Sequence, residues 1–140
     1  MTSFFTDNTS PLASVAVSWP APIHSYDVHV YYDLSQYEEA QQLKAKAQEL
    51  FPNLPQSRMW ERPIGPHSKP MWELDIHQAV DFARVVPWFA VNHGNLSVLV
   101  HPNTGDMVKD HTENAMWIGE RVELDVAMLA RAQAAHQIKK

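Results

Sequence analysis

The order in which two hydrophobic periodicities follow one another limits what this chain can become. Residues 25–33 (SYDVHVYYD) alternate with period two and are rich in Tyr and Val, which suit the pleated surface of a strand. Tyr26, Val28, Val30 and Tyr32 fall on one face; Asp27, His29, Tyr31 and Asp33 fall on the other. The period then lengthens. Ser35 and Glu38 have the spacing of a capping box, whose side chains satisfy backbone N–H groups that the first helical turn leaves unpaired. Tyr37, Ala40, Leu43, Ala47, Leu50 and Phe51 continue as one apolar stripe at helical spacing until Pro52 and Asn53 end it.

Residues 57–62 (SRMWER) read as a short strand, 63–70 as a turn-rich connection, and 71–77 (MWELDIH) as a further strand. In the last of these Trp72, Leu74 and Ile76 form the apolar face, opposite Met71, Glu73 and Asp75. A second helix is expected over 79–93, stopped by Gly94, and Pro87 is expected to kink or split it because proline removes a backbone donor. Residues 96–101 (LSVLVH) form the fourth strand, with Leu96, Val98 and Val100 opposed to Ser97, Leu99 and His101. Pro102 and the turn at 103–106 close it, followed by a loop at 117–119 and a helix from about Val122. Strand, helix, strand, strand, helix, strand is the split βαβ order of a ferredoxin-like α+β fold, βαββαβ. Both helices then cover one face of an antiparallel sheet, and the other face needs a partner subunit, the C-terminal residues or a ligand. Residues 1–22, with Pro11, Pro20 and Pro22 and no sustained period, read as a weakly ordered arm; 23–125 form the domain and 126–140 a helical extension of it.

Composition narrows the chemistry. At 140 residues the chain is one domain's worth of polypeptide. Eleven Lys and Arg against sixteen Asp and Glu give a net charge of -5, the reverse of what a phosphate-neutralising surface needs, so nucleic acid is not an expected partner. No apolar run approaches a membrane span and the first residues lack a signal peptide's pattern, which points to a cytoplasmic protein with no membrane partner. The chain has no Cys and eight His. Disulfides, thiolate metal sites and a Cys nucleophile are excluded, leaving imidazole and carboxylate as donors for any metal.

The face away from the helices collects Asp27, His29, Tyr31, Glu73, Asp75, Ser97 and His101. In the usual order of this fold, the first strand lies between the third and fourth, so Glu73 and His101 border His29. Two His and one carboxylate leave three octahedral positions open, the arrangement of non-haem Fe(II) oxygenases. The same residues also have ordinary uses. A strand His commonly serves as a hydrogen-bonding group, Glu73 can pair with Arg58 or Arg62, and a one-residue slip would turn any of them into the core. His67, in Gly65-Pro66-His67, and His111, after Asp110, lie in loops beside the site, where an acid–base group or another ligand is well placed. His24, His77, His93 and His136 are expected to be structural.

Five fragments in order, 26–32 (YDVHVYY), 65–73 (GPHSKPMWE), 97–102 (SVLVHP), Asp110-His111-Thr112 and Trp117-Ile118-Gly119, resemble the DOPA 4,5-dioxygenase family. The resemblance implies an extradiol dioxygenase that opens a catechol ring beside its two hydroxyls with O2, on a ferredoxin-like fold that forms a dimeric α+β barrel. It implies Fe(II) as cofactor, a catechol such as DOPA and O2 as small-molecule partners, and a homodimer. On this reading His29, Glu73 and His101 hold the metal, a site that Zn(II) can also occupy, and His67 is the rival ligand. His67 and His111 manage protons. Asp27, Tyr31, Arg58 and Arg62 face the substrate, the arginines as receptors for a carboxylate. Many members of the family carry His where this chain has Asp27, two residues before His29, so Asp27 is also placed to replace an imidazole. Two competing readings keep the scaffold and drop the iron: a non-catalytic dimeric small-ligand-binding protein, and a cofactor-free monooxygenase.

Overall fold

The computed structural model describes residues 17–138. Its elements are β1 (Ser25–Tyr31), α1 (Tyr37–Leu50), β2 (Met71–Ile76), α2 (Ala79–Asn92), β3 (Ser97–Asn103), α3 (Met107–Asp110), β4 (Met116–Ile118) and α4 (Val126–Ile138). The sheet is antiparallel with strand order β2-β1-β3-β4, so the expected first strand is central and its two expected neighbours flank it. The fold is the α+β arrangement expected from the element order.

Strand parity decides the layers. Val28 and Val30 from β1, Trp72, Leu74 and Ile76 from β2, and Val98 and Val100 from β3 are all fully buried on one face. Ala40, Leu43 and Ala47 of α1 and Val85 and Phe89 of α2 pack onto them. Truncating one such residue, Leu74→Ala for example, removes buried apolar surface and leaves a cavity, at a cost of about 2–5 kcal/mol.

The structure corrects several local expectations. Residues 57–62 do not form a strand; single bridges join Gln56 to Leu74 and Trp60 to Met71. Between those bridges one side has an extra residue, a bulge that interrupts the ladder, and Ser57 Oγ accepts from Glu73 N at 2.9 Å. The helix start is also displaced: Gln36 Oε1 accepts from Asp33 N at 2.9 Å, so Asp33 rather than Ser35 opens a 3-10 turn over Leu34–Gln36 that leads into α1. Pro87 lies inside α2 without splitting it, with Val85 and Phe89 buried on either side. Gly94, at φ 60°, follows the helix end as expected. Residues 116–118, overlapping the loop expected at 117–119, form the edge strand β4, too short for an alternation to show in sequence. Helix α4 starts at Val126, not near Val122, which is buried in irregular chain before it.

The second sheet face is covered by this same chain. Tyr31, Met71 and Leu99 pack with Val122, and Trp60, Ala115, Trp117 and Leu124 join them. His67 bridges to Leu124, and Asp125 N donates to Pro66 O at 2.8 Å, tying the two covering segments together. Of the arm expected over 1–22, residues 1–16 lie outside the described residues. Of residues 17–22 only Trp19 is partly buried: its ring packs against Tyr26 and, edge-on, against Phe82, and its Nε1 donates to His77 O at 2.9 Å, while the other five are exposed. Among the described residues no helix is long and apolar enough to cross a membrane.

Candidate active site

Strand register brings the site's first residues together. On the covered second face, His29 of β1 lies opposite Glu73 of β2, and Asp27 lies opposite Asp75 of β2 and His101 of β3. His67 is delivered by a tight reversal in which Ile64 N and His67 O, and His67 N and Ile64 O, bond at 3.2 and 3.0 Å. Gly65 makes that reversal possible, since its φ of 57° is costly for a residue with a Cβ. His111 follows α3, whose first turn is capped by Asp106 Oδ1 accepting from Lys109 N at 3.0 Å. The C-terminal helix steadies α3 through Gln133 Oε1, which accepts from Val108 N at 3.2 Å.

Four imidazoles therefore meet in a mostly buried cluster. His29 Nε2 and His101 Nε2 are 3.1 Å apart, with the rings stacked at 11°. The His67 ring centre lies 4.2 Å from that of His29, and the His111 ring centre 4.0 Å from that of His101. Burial lowers the proton affinity of all four: His29 falls well below the ordinary range, His67 falls to about 3, and His101 and His111 shift down also. Each is neutral at pH 7 and carries one N–H and one lone pair.

Their hydrogen bonds assign most of those protons. His101 Nδ1 donates to Pro102 O at 3.0 Å and His111 Nδ1 donates to Met107 O at 2.7 Å, so both present a bare Nε2. His29 cannot be satisfied in the same way. If its proton sits on Nδ1, two Nε2 lone pairs face each other at 3.1 Å; if it sits on Nε2, the buried Nδ1 lone pair has no partner among the described residues. Glu73 Oε1 stands 3.6 Å from Nδ1, too far for a hydrogen bond. A cation taking both Nε2 lone pairs resolves the conflict, because His29 then carries its proton on Nδ1, facing a carboxylate. For metal–nitrogen distances of about 2.1 Å, adjacent nitrogens of an octahedral site stand about 3.0 Å apart. The residues present fit a divalent transition metal.

Two carboxylates compete for the third ligand place, and they stand on different sides of His29. Asp27 Oδ2 is 3.7 Å from His101 Nε2, the nitrogen that faces His29. Asp27, His29 and His101 each offer a ligand atom within 4.8 Å of the others. Glu73, expected as the ligand, instead faces the outer nitrogen, Nδ1 of His29. Asp27, Glu73 and Asp75 form an acidic patch beside the histidines. Burial, reinforced by the charge of Asp75 and opposed by the Asn103 hydrogen bond, raises Asp27 to about 6. Burial and the hydrogen bond with Asp75 raise Glu73 as well.

The remaining expected site residues separate. Tyr31 is 1% exposed and its OH lies 2.6 Å from His67 Nδ1, so it serves a histidine directly. Arg58 is exposed with its guanidinium over the Trp60 ring at 4.6 Å, and Arg62 is exposed. Among the described residues neither arginine bonds to the histidine cluster. His93 Nδ1 donates to Leu96 O at 2.8 Å, a structural use as expected. One residue near the site escaped sequence reasoning. Asp110, 2% exposed, accepts from Thr104 N, Thr104 Oγ1 and Asn114 Nδ2 at 2.8, 2.7 and 3.1 Å, pinning the turn after β3 to the helix before His111. In sequence it stood only as the first member of the Asp110-His111-Thr112 fragment, with no role of its own.

Comparison with known proteins bears on the same residues. The model of the Dopa 4,5-dioxygenase family matches residues 26–128, a span containing all four clustered histidines. An uncharacterized 21.2 kDa protein of Botryotinia fuckeliana is 38% identical over 125 residues, covering 80% of this chain and 68% of that protein. A DOPA 4,5-dioxygenase of Amanita muscaria is 28% identical over 135 residues, 91% of this chain but 59% of the Amanita protein's length. A crystal structure from Nostoc punctiforme, of a protein provisionally assigned as a dioxygenase, superposes with a TM-score of 0.75 at 32% identity, covering 79% of this chain and 95% of that one. With its family-matched span containing every member of the histidine cluster, this chain belongs to the Dopa 4,5-dioxygenase family.

Proposed function

We propose that this chain is a non-haem Fe(II) dioxygenase that opens a catechol ring with O2, cleaving the ring bond beside the two hydroxyls. The observation that carries the reading is the facing pair of Nε2 atoms, 3.1 Å apart in a buried site that leaves His29 Nδ1 without a hydrogen-bond partner among the described residues. A small-ligand-binding protein gains nothing from burying that conflict; a metal site removes it.

His29 Nε2, His101 Nε2 and Asp27 are the proposed ligands, a two-His, one-carboxylate set. Glu73 is proposed as the acceptor for His29 Nδ1–H, which orients the ring and strengthens its donation. The Pro102 carbonyl does the same for His101. Bound iron would supply the electron transfer that makes O2 reactive toward the catechol and would acidify the catechol hydroxyls. The protein supplies the rest. The covering layer of Tyr31, Leu99, Val122 and Trp117 keeps water from one side of the cluster. His67 and His111 flank the ligand pair and serve the anionic oxygens and protons of the reacting catechol. Both atoms of O2 enter the product as one ring carbon–carbon bond breaks, so the reaction needs no external reductant.

The test is to purify the protein without oxygen, load Fe(II), add a catechol panel that includes DOPA, and follow O2 uptake with the yellow colour of a ring-opened product. Iron-dependent uptake matched by product is expected, and lost in His101→Ala. Silence across the panel at full iron occupancy, or equal turnover without iron, would overturn the proposal.

A further inference from the structure

The four histidines do not present the same chemistry, and the difference traces to one phenol. Tyr31 is 1% exposed, and its OH has His67 Nδ1 as its hydrogen-bond partner, at 2.6 Å. A phenol has one hydrogen to donate. If His67 Nδ1 carried a proton and donated it to the Tyr31 oxygen, the phenolic hydrogen would be buried without an acceptor, which is costly. Tyr31 must therefore donate to Nδ1, and neutral His67 must carry its own proton on Nε2. His111 has the opposite arrangement, because its Nδ1–H donates to Met107 O and its Nε2 is bare. The two rings, 6.3 Å apart, flank the His29–His101 pair as one donor and one acceptor.

We infer that Tyr31 is a positioning residue that fixes His67 as an Nε2–H donor to an anionic oxygen of the reacting catechol, leaving His111 Nε2 to take and return the proton. The division balances. As neutral species, a catechol plus O2 and the ring-opened product contain the same hydrogens, so one base that accepts a hydroxyl proton and later returns it suffices. His67 then contributes by aiming a neutral N–H at developing negative charge in a water-poor site, which requires no proton transfer from it. Sequence reasoning gave His67 and His111 interchangeable roles and set Tyr31 against the substrate; the hydrogen bonds separate all three.

The catalytic part of this inference rests on the dioxygenase reading, whereas the proton positions do not. Nitrogen-15 NMR of the imidazoles in the metal-free full chain reads those positions without iron, substrate or turnover. The expected spectrum shows His67 protonated on Nε2, with His101 and His111 protonated on Nδ1. His67 protonated on Nδ1 would overturn the inference even in an active enzyme. Tyr31→Phe keeps the ring and removes the donor. It is expected to relax the His67 preference and lower kcat about five- to tenfold, the equilibrium worth of one neutral hydrogen bond, with KM and iron affinity held. Unchanged kcat with an unchanged His67 spectrum would sink the positioning role. Should the variant fold poorly, the wild-type spectrum still decides the question.

Discussion

Replacing Asp27 by Asn separates two effects of this carboxylate that have opposite sign. Its side chain is 24% exposed, and burial raises it from an ordinary 3.8 to about 6. Because the folded-state value is the higher one, the ionised group penalises the metal-free fold above pH 6, and the penalty shrinks as pH falls toward 4. Two pKa units correspond to about 3 kcal/mol, or about 1–2 kcal/mol after allowing for solvent screening. Asparagine retains an oxygen for the Asn103 Nδ2 bond, at 3.1 Å in the wild type. Metal-free Asp27→Asn at pH 7.5 is therefore expected to be more stable, with Tm raised by roughly 3–6 °C. Metal affinity should move the other way. Asp27 Oδ2 lies 3.7 Å from His101 Nε2. Two donors of one ion can stand up to about 4.2 Å apart when each bond is about 2.1 Å. Losing that anionic donor should weaken binding about a thousandfold or more. Of the histidine nitrogens Glu73 faces the outer one of His29, at 3.6 Å, so Glu73→Gln should cost about 10–100-fold. Competition with a chelator under anaerobic Fe(II), and calorimetry of the chelated protein, measure both quantities. An Asp27→Asn protein that is destabilised yet binds metal normally, beside a Glu73→Gln protein that has lost binding, would make Glu73 the ligand and refute this assignment.

Two further outcomes follow from the buried polar groups. Asp110→Ala strands three donors that now meet a carboxylate, so a loss of about 3–5 kcal/mol is expected, with Asp110→Asn intermediate; thermal unfolding within about 1 kcal/mol of wild type would contradict it. In the metal-free protein, His29, His67, His101 and His111 refuse protons that the unfolded chain accepts, which makes stability fall as pH drops below about 6.5. Asp27 and Glu73 oppose this, since they retain protons the unfolded chain releases, but two carboxyls are outnumbered by four imidazoles. The urea midpoint of the chelated protein should therefore decrease from pH 7 to about 5.5, and a midpoint that rises on acidification would count against the buried neutral cluster.

The layers of this fold were legible because alternation is a strong signal where one face is buried. Val28 and Val30, Trp72 and Leu74, and Val98 and Val100 sort to the helix side, and His29 and His101 are thereby sent to the other. What sequence could not show is long-range. Trp60 and Trp117 join the second layer through chain segments without periodicity, and β4 pairs through only three residues, Met116 to Ile118. The same limit applied within the site. Parity placed Asp27 and Glu73 on one face, but which nitrogen of His29 each approaches depends on ring orientation, which no spacing encodes. Asp110 was named only within a matched fragment, because its bonds to Thr104, across a turn, and to Asn114, one helical turn onward, depend on side-chain orientation.

Isotopically labelled O2 tests the proposed chemistry most directly. After a single turnover of the anaerobically loaded iron protein with a catechol, mass spectrometry of the ring-opened product should find both atoms of one labelled O2 in it. A product carrying one labelled atom, formed equally well after iron is removed, would make the protein a monooxygenase and leave the histidine cluster without the role proposed for it.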